Sequence, residues 1–118
     1  MYTDFHQLDI WKIGYEILMK IYSLSDTFPE TEKYGLTSQI RRSANSVIAN
    51  IAESHGRYHY QDKKRVLYIS RGEIFETRSH LAVVYGQKLI SKEEFEHLNK
   101  KYEELTKRLN SYINHLKK

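Results

Sequence analysis

Apolar residues recur along most of the chain at alternating steps of three and four, the spacing of one side of an α-helix. From about residue 7 to 27, Leu8, Trp11, Tyr15, Leu18 and Tyr22 form one stripe. Ile10, Ile13, Ile17, Ile21 and Leu24 form a second beside it. Two adjacent stripes predict a helix packed against several neighbours rather than a two-helix seam. Phe28-Pro29 stops it, because the proline ring clashes with the preceding turn and carries no N–H. A second helix is expected from Thr37, read as its N-cap, to about Ser54, with Gly56 as terminator. A third covers about 59–89, with Leu67, Ile74, Leu81 and Tyr85 on one side and Val66, Ile69 and Val84 close by. Gly72 falls inside it, where glycine costs about 1 kcal/mol against alanine, so a close helix–helix contact is expected there. The fourth opens on a capping box, Ser91-Lys-Glu-Glu94, and repeats strictly through Phe95, Leu98, Tyr102, Leu105, Leu109, Tyr112 and Leu116. Lys117 and Lys118 close it at the negative end of the helix dipole.

Short connections between four helices of about 18 to 31 residues make neighbours antiparallel. The expected fold class is all-α, an antiparallel up-down-up-down four-helix bundle, with residues 1–118 forming one domain. The composition agrees. One proline and five glycines in 118 residues are too few for a turn-rich β-sandwich or barrel. The absence of cysteine removes disulfides, thiolate metal sites and a cysteine nucleophile, and fits a reducing compartment. The stretch Met1-Tyr-Thr-Asp-Phe-His has neither the basic start nor the apolar core of a secretory signal. No apolar run approaches the roughly 18 residues of a membrane span, so a cytoplasmic location is expected.

Candidate chemistry is sparse. A ferritin-like di-iron site needs two Glu-x-x-His pairs. The chain has one, Glu94-Phe-Glu-His97, while Glu76 and His80 stand four apart. His55 and His59 are also four apart but flank Gly56, which suits a surface pair. No glycine-rich phosphate loop, dinucleotide fingerprint or clustered nucleophile and base is present, so no catalytic residue, metal or cofactor is expected and the protein is read as non-enzymatic. In the second helix, Leu36, Ile40, Ala44, Val47, Ile48 and Ile51 make the core face. A polar stripe on the same helix contains Gln39, Arg42, Ser46, Asn50 and Glu53. Such a stripe suits an interface between protomers, a polar network inside one, an RNA-contacting surface, or an ordinary exposed face. Ala49 and Ala52 lie between the stripes and permit close approach of another helix.

Charge favours a polyanion. The net charge is +4, with six Lys/Arg against seven Asp/Glu in residues 1–60 and thirteen against eight in 61–118. Arg41 begins the second helix, Arg57 follows its end, and Lys63, Lys64 and Arg65 open the third. These five are the candidate phosphate contacts. Tyr58, Tyr60 and Tyr68, part of an unusual complement of ten tyrosines, interleave with them. Cations for phosphate and aromatics for splayed bases are what single-stranded RNA recognition uses. The same residues equally suit a solvated surface and wet helix ends.

Several segments are similar to a known family: Phe28-Pro29-Glu30, the run from Tyr34-Gly35-Leu36 through Arg41-Arg42-Ser43-Ala44-Asn45-Ser46-Val47, then Asn50-Ile51-Ala52-Glu53 and Gly56-Arg57. They resemble the bacterial four-helix bundle proteins encoded in intervening sequences of 23S ribosomal RNA genes, also labelled S23 ribosomal protein. Arg71-Gly72-Glu73-Ile74-Phe75-Glu76-Thr77 looks like that family's small-residue and Glu signature, with Arg71-Gly72-Glu73 a variant of it. Ser54-His55 stands where a glycine-containing stretch is more usual. The resemblance implies a homo-oligomer, with a pentamer favoured because related accessory proteins of diversity-generating retroelements form pentameric barrels. Those relatives bind a reverse transcriptase and nucleic acid, so RNA or a reverse-transcriptase-like protein is an expected partner. Five copies would raise the net charge to about +20, a strong field for polyanions. The alternative is a protein-interaction scaffold without nucleic-acid binding.

Overall fold

The computed structural model describes residues 3–116, which form four long helices and no strand. A 3-10 turn (Phe5–Gln7) precedes α1 (Asp9–Ser25), and a second (Glu30–Glu32) precedes α2 (Leu36–Gly56). Then come α3 (Tyr60–Gly86) and α4 (Lys92–His115). Helix α1 packs on α2 and α4, and α3 packs on the same two, so α1 and α3 are diagonal. The result is the antiparallel bundle expected from the periodicity, 47 × 24 × 23 Å in extent.

Each helix contributes one apolar stripe to a single core. Ile10, Ile17 and Ile21 of α1 meet Ile40, Val47 and Ile51 of α2, Leu67, Ile74 and Leu81 of α3, and Leu98, Leu105 and Leu109 of α4. Of the two stripes read on α1, Ile10, Ile17 and Ile21 of one and Leu18 of the other are buried. Tyr15 and Tyr22 of the other remain exposed, as does Met19, because no helix lies on that side. Small polar residues bring α2 and α3 together: Ser70 Oγ donates to Val47 O (2.7 Å) and Thr77 Oγ1 to Ser43 Oγ (2.9 Å), all within the buried seam.

Three local expectations need correction. Gly35, not Thr37, is the N-cap of α2. The Leu36 N–H donates instead to Glu32 Oε1 (3.3 Å), and Thr37 is buried in the first turn. Helix α1 ends at Ser25, ahead of Pro29, where Thr27 Oγ1 donates to Leu24 O (2.7 Å) and 3-10 bonding takes over. The close-packed glycine is Gly14, whose missing Cβ leaves room for Ile48 Cγ2, whereas Gly72 faces open space. The expected capping box of α4 is present, with Glu94 N to Ser91 Oγ at 3.0 Å and Ser91 N to Glu94 Oε1 at 2.8 Å. Lys117 and Lys118 lie outside the described residues.

The turn after α3 is a Schellman motif. Lys88 N donates to Tyr85 O and Leu89 N to Val84 O (both 2.9 Å), with Lys88 in the left-handed region at φ 64°.

Candidate nucleic-acid interface

Antiparallel packing gathers four segments at one end of the bundle: the first 3-10 turn with the start of α1, the end of α2, the start of α3 and the end of α4. Contacts fix this arrangement. His55 Nε2 lies 2.7 Å from Thr3 O, and Arg108 Nη1 lies 3.8 Å from Asp9 Oδ2. Residues 3–14, 50–70 and 104–116 hold seven Lys/Arg against five Asp/Glu, together with four of the six histidines. The remaining described residues balance at ten against ten. The positive excess of the described chain therefore sits wholly at this end, although the sequence suggested only that it lay in the second half.

The five candidate phosphate contacts do not form one surface. Arg57, Lys63, Lys64 and Arg65 share the basic end. Arg41 lies about 24 Å away along α2. There its Nε donates to Ser25 Oγ (2.7 Å), its Nη2 pairs with Asp26 Oδ1 (2.9 Å), and its guanidinium lies 4.7 Å from the centre of the Tyr22 ring. This anchors the end of α1 to α2. Lys63 also has a structural task. Its Nζ donates to Ser54 O (3.3 Å) and His55 O (3.0 Å), carbonyls at the C-terminus of α2, while Ser54 Oγ donates back to Lys63 O (3.0 Å). A cation there complements the helix dipole.

Three cations remain for a ligand. Arg57 donates to Glu53 Oε1 (2.6 Å) across one turn, and this hydrogen bond and charge raise its pKa above the ordinary arginine value. Arg65 stands a loose 3.8 Å from Asp62. Lys64 Nζ lies 5.4 Å from the centre of the Tyr60 ring. Tyr58 is 90% exposed and makes an edge-on contact with His59 at 5.0 Å. Tyr58, His59, Tyr60 and Gln61 line an open groove of about 630 Å³. Three cationic side chains thus stand near the exposed Tyr58 ring.

The polar stripe of α2 breaks into separate groups that serve the protomer itself. Arg42 reaches across to α3, where it pairs with Glu76 and lies 3.5 Å from Glu73 Oε2, and its Nε donates to Gln39 Oε1 (3.4 Å). His80 Nε2 lies 3.3 Å from Glu76 Oε2. Desolvation, with Arg42 nearby, lowers the His80 pKa, and Glu73 partly opposes this. Asn50 Nδ2 donates to Ser46 O (2.8 Å) and Ser46 Oγ (3.3 Å), while Glu53 serves Arg57. Glu73, Glu76 and His80 were missed as members of this network. The four-residue step from Glu76 to His80 was visible, but nothing local in sequence pointed to Arg42. No group of three His, Cys, Asp or Glu among the described residues is arranged to hold a metal ion.

Two further pairs on α3 were also unforeseen: the Arg71 guanidinium lies 4.7 Å from the Tyr68 ring centre, and that of Arg78 lies 5.2 Å from Phe75. Both arginines lean to α4, with Arg71 Nη1 donating to Asn110 Oδ1 (2.7 Å) and Arg78 Nε to Asn99 Oδ1 (2.8 Å). Tyr68 and Phe75 remain about half exposed beneath these guanidinium groups.

A family model described as 23S rRNA-intervening sequence protein matches residues 6–111. The chain belongs to that family. The match spans all four helices, the basic end included. Among solved structures, the chain is similar to the crystal structure, at 1.70 Å resolution, of a protein with unknown function from the S23 ribosomal protein family of Bacteroides thetaiotaomicron VPI-5482. That likeness has a TM-score of 0.81 at 28% identity, covering 88% of this chain and 97% of the other. No curated protein matches. The family's description names no activity. No helix among the described residues is long and apolar enough to cross a membrane.

Proposed function

We propose that this protein is a non-catalytic, homo-oligomeric, cytoplasmic helical bundle that binds RNA or an RNA-containing partner through its basic end. The observation that carries this reading is the placement of the whole described charge excess at one end, beside the exposed Tyr58. Arg57, Lys64 and Arg65 would contact phosphate and Tyr58 would stack on an unpaired base, a division of labour usual in single-strand recognition. Lys63 acts by holding α2 to α3. Oligomerisation multiplies the field of each basic end, which raises both association rate and affinity for a polyanion.

Titrating a fluorescent single-stranded RNA with the purified protein at several salt concentrations tests this. Log affinity should fall linearly with log salt, with a slope of about −0.7 for each phosphate neutralised. No binding, or binding indifferent to salt, would contradict it. A protein-interaction scaffold is the second reading, and one observation favours it: the outward side of α3 exposes Ile69, Phe75 and Val83.

A further inference from the structure

Antiparallel packing has a second consequence at the basic end. Each of the four segments gathered there supplies one histidine: His6 from the first 3-10 turn, His55 from the last turn of α2, His59 at the N-cap of α3 and His115 from the last turn of α4. His6, His59 and His115 are exposed, and His55 is half-buried. The other two histidines lie elsewhere, His80 in the network with Arg42 and Glu76, and His97 near the start of α4. Both open grooves at the basic end include one of the four. His59 lines the groove beside Tyr58, and His115 lines a second, of about 540 Å³, with Arg108, Tyr112 and Asp9.

Histidine is the side chain whose ordinary titration, at about pH 6.5, crosses the neutral range. With seven Lys/Arg against five Asp/Glu, the basic end carries +2 while its four histidines are neutral and +6 when all are protonated. We infer that this end is a proton-regulated phosphate site, in which His6, His55, His59 and His115 take up protons together with RNA, so that acid strengthens binding. The inference rests on the RNA-binding part of the function proposed above.

The surroundings of each ring accept the added charge. His115 Nδ1 donates to Ser111 O (2.7 Å), so that nitrogen keeps its hydrogen and Nε2 is the one that titrates. His55 Nε2 faces Thr3 O (2.7 Å), an acceptor that suits a donating ring nitrogen. Both residues stand in the last turn of a helix, where a positive charge complements the dipole. His6 has the Asp4 carboxylate at 3.8 Å, and His59 makes its edge-on contact with Tyr58. The nearest cations already have acceptors: Arg57 has Glu53, Lys63 has the carbonyls that end α2, and Arg108 has Asp9 and Glu104. Asp62 adds a carboxylate beside Arg65 in the first turns of α3. Lys12, Lys64, Arg65 and Lys107 stand about a turn or more inside their helices. A phosphate brought to this end favours the protonated rings, and protonated rings favour the phosphate, to the same extent in both directions.

A uridine-only single strand tests this, because its bases do not titrate between about pH 5.5 and pH 7.5. Over that range its affinity at fixed low salt should rise about tenfold or more as pH falls. The log–log salt slope should steepen by about 0.7 for each histidine that comes to neutralise a phosphate. At about pH 6.5, calorimetry in two buffers of different ionisation heat should show protons taken up on binding. A triple variant, His6→Gln with His59→Gln and His115→Gln, should bind almost equally at the two pH values, with unchanged helical circular dichroism. His97→Gln, away from this end, should keep the full rise. The same rise in the triple variant would overturn the inference. Binding at about pH 7.5 that neither strengthens in acid nor takes up protons would overturn it too, and leave the RNA-binding reading standing. No binding at either pH would overturn both.

Discussion

Gly14 of α1 lies so close to Ile48 of α2 that a Cβ on Gly14 would overlap Ile48 Cγ2, with Leu105 Cδ2 at 3.6 Å behind it. The isoleucine is β-branched and buried, so it has little freedom to swing away. Overpacking of this kind costs about 1–3 kcal/mol, more than the ~1 kcal/mol that alanine gains over glycine in a helix. Gly14→Ala is therefore expected to lower stability by about 1–2 kcal/mol, read as an earlier urea midpoint with an unchanged m value. An equal or later midpoint would show that α1 and α2 are not held this closely.

Lys88 offers the opposite sign. It occupies the left-handed position of the Schellman turn at φ 64°, where a side chain is strained and glycine is not. Lys88→Gly is expected to raise stability by about 0.5–1 kcal/mol, or a few degrees in Tm. Calorimetry checks this, and a fall in Tm would contradict the turn geometry.

Tyr102 sits wholly inside the bundle, and its hydroxyl makes no hydrogen bond of normal geometry, although the Thr77 hydroxyl is near enough to favour the ionised form. Burial dominates and pushes the phenol well above its ordinary value of 10. The folded state thus holds the Tyr102 proton where the unfolded chain releases it. Stability must fall as pH rises above about 10, by about 1.4 kcal/mol per pH unit from this group. Half-buried Tyr112, also raised by desolvation, adds to the same trend. Tyr102→Phe removes a buried polar atom without a partner, so it should match or exceed the parent stability at pH 7. It should also flatten the alkaline decline. Denaturant melts at pH 7 and pH 11 give both readings.

Lys63 should separate architecture from binding. Lys63→Ala removes the cation that closes α2, an expected loss of about 1 kcal/mol. RNA affinity of the folded variant should change far less than for Lys64→Glu. A large affinity loss with unchanged stability would move Lys63 from the scaffold to the binding surface.

The fold was legible because it depends on near-neighbour periodicity. The strict repeat from Phe95 to Leu116 and the capping box at Ser91 need no knowledge of tertiary structure, and both are as read. What sequence could not show is which neighbour each polar side chain meets. Arg41 looked like a free cation but anchors to Ser25 and Asp26, sixteen and fifteen residues earlier. Arg42 finds Glu76 thirty-four residues away. Gly72 drew notice because it breaks a helical rule, whereas Gly14, the glycine under steric demand, blended into an ordinary pattern. The charged end is of the same kind. Its residues come from three separated stretches, and only the antiparallel topology adds them together.

The most direct measurement compares two charge reversals of equal size at opposite ends of the bundle. Lys64→Glu with Arg65→Glu alters the basic end, and Lys88→Glu with Lys92→Glu alters the other, so the net charge is the same in both. Anisotropy titrations against one single-stranded RNA at fixed low salt should show at least a tenfold loss of affinity for the first variant and a much smaller one for the second. Equal losses, or no loss for the first, would contradict a binding site at the basic end.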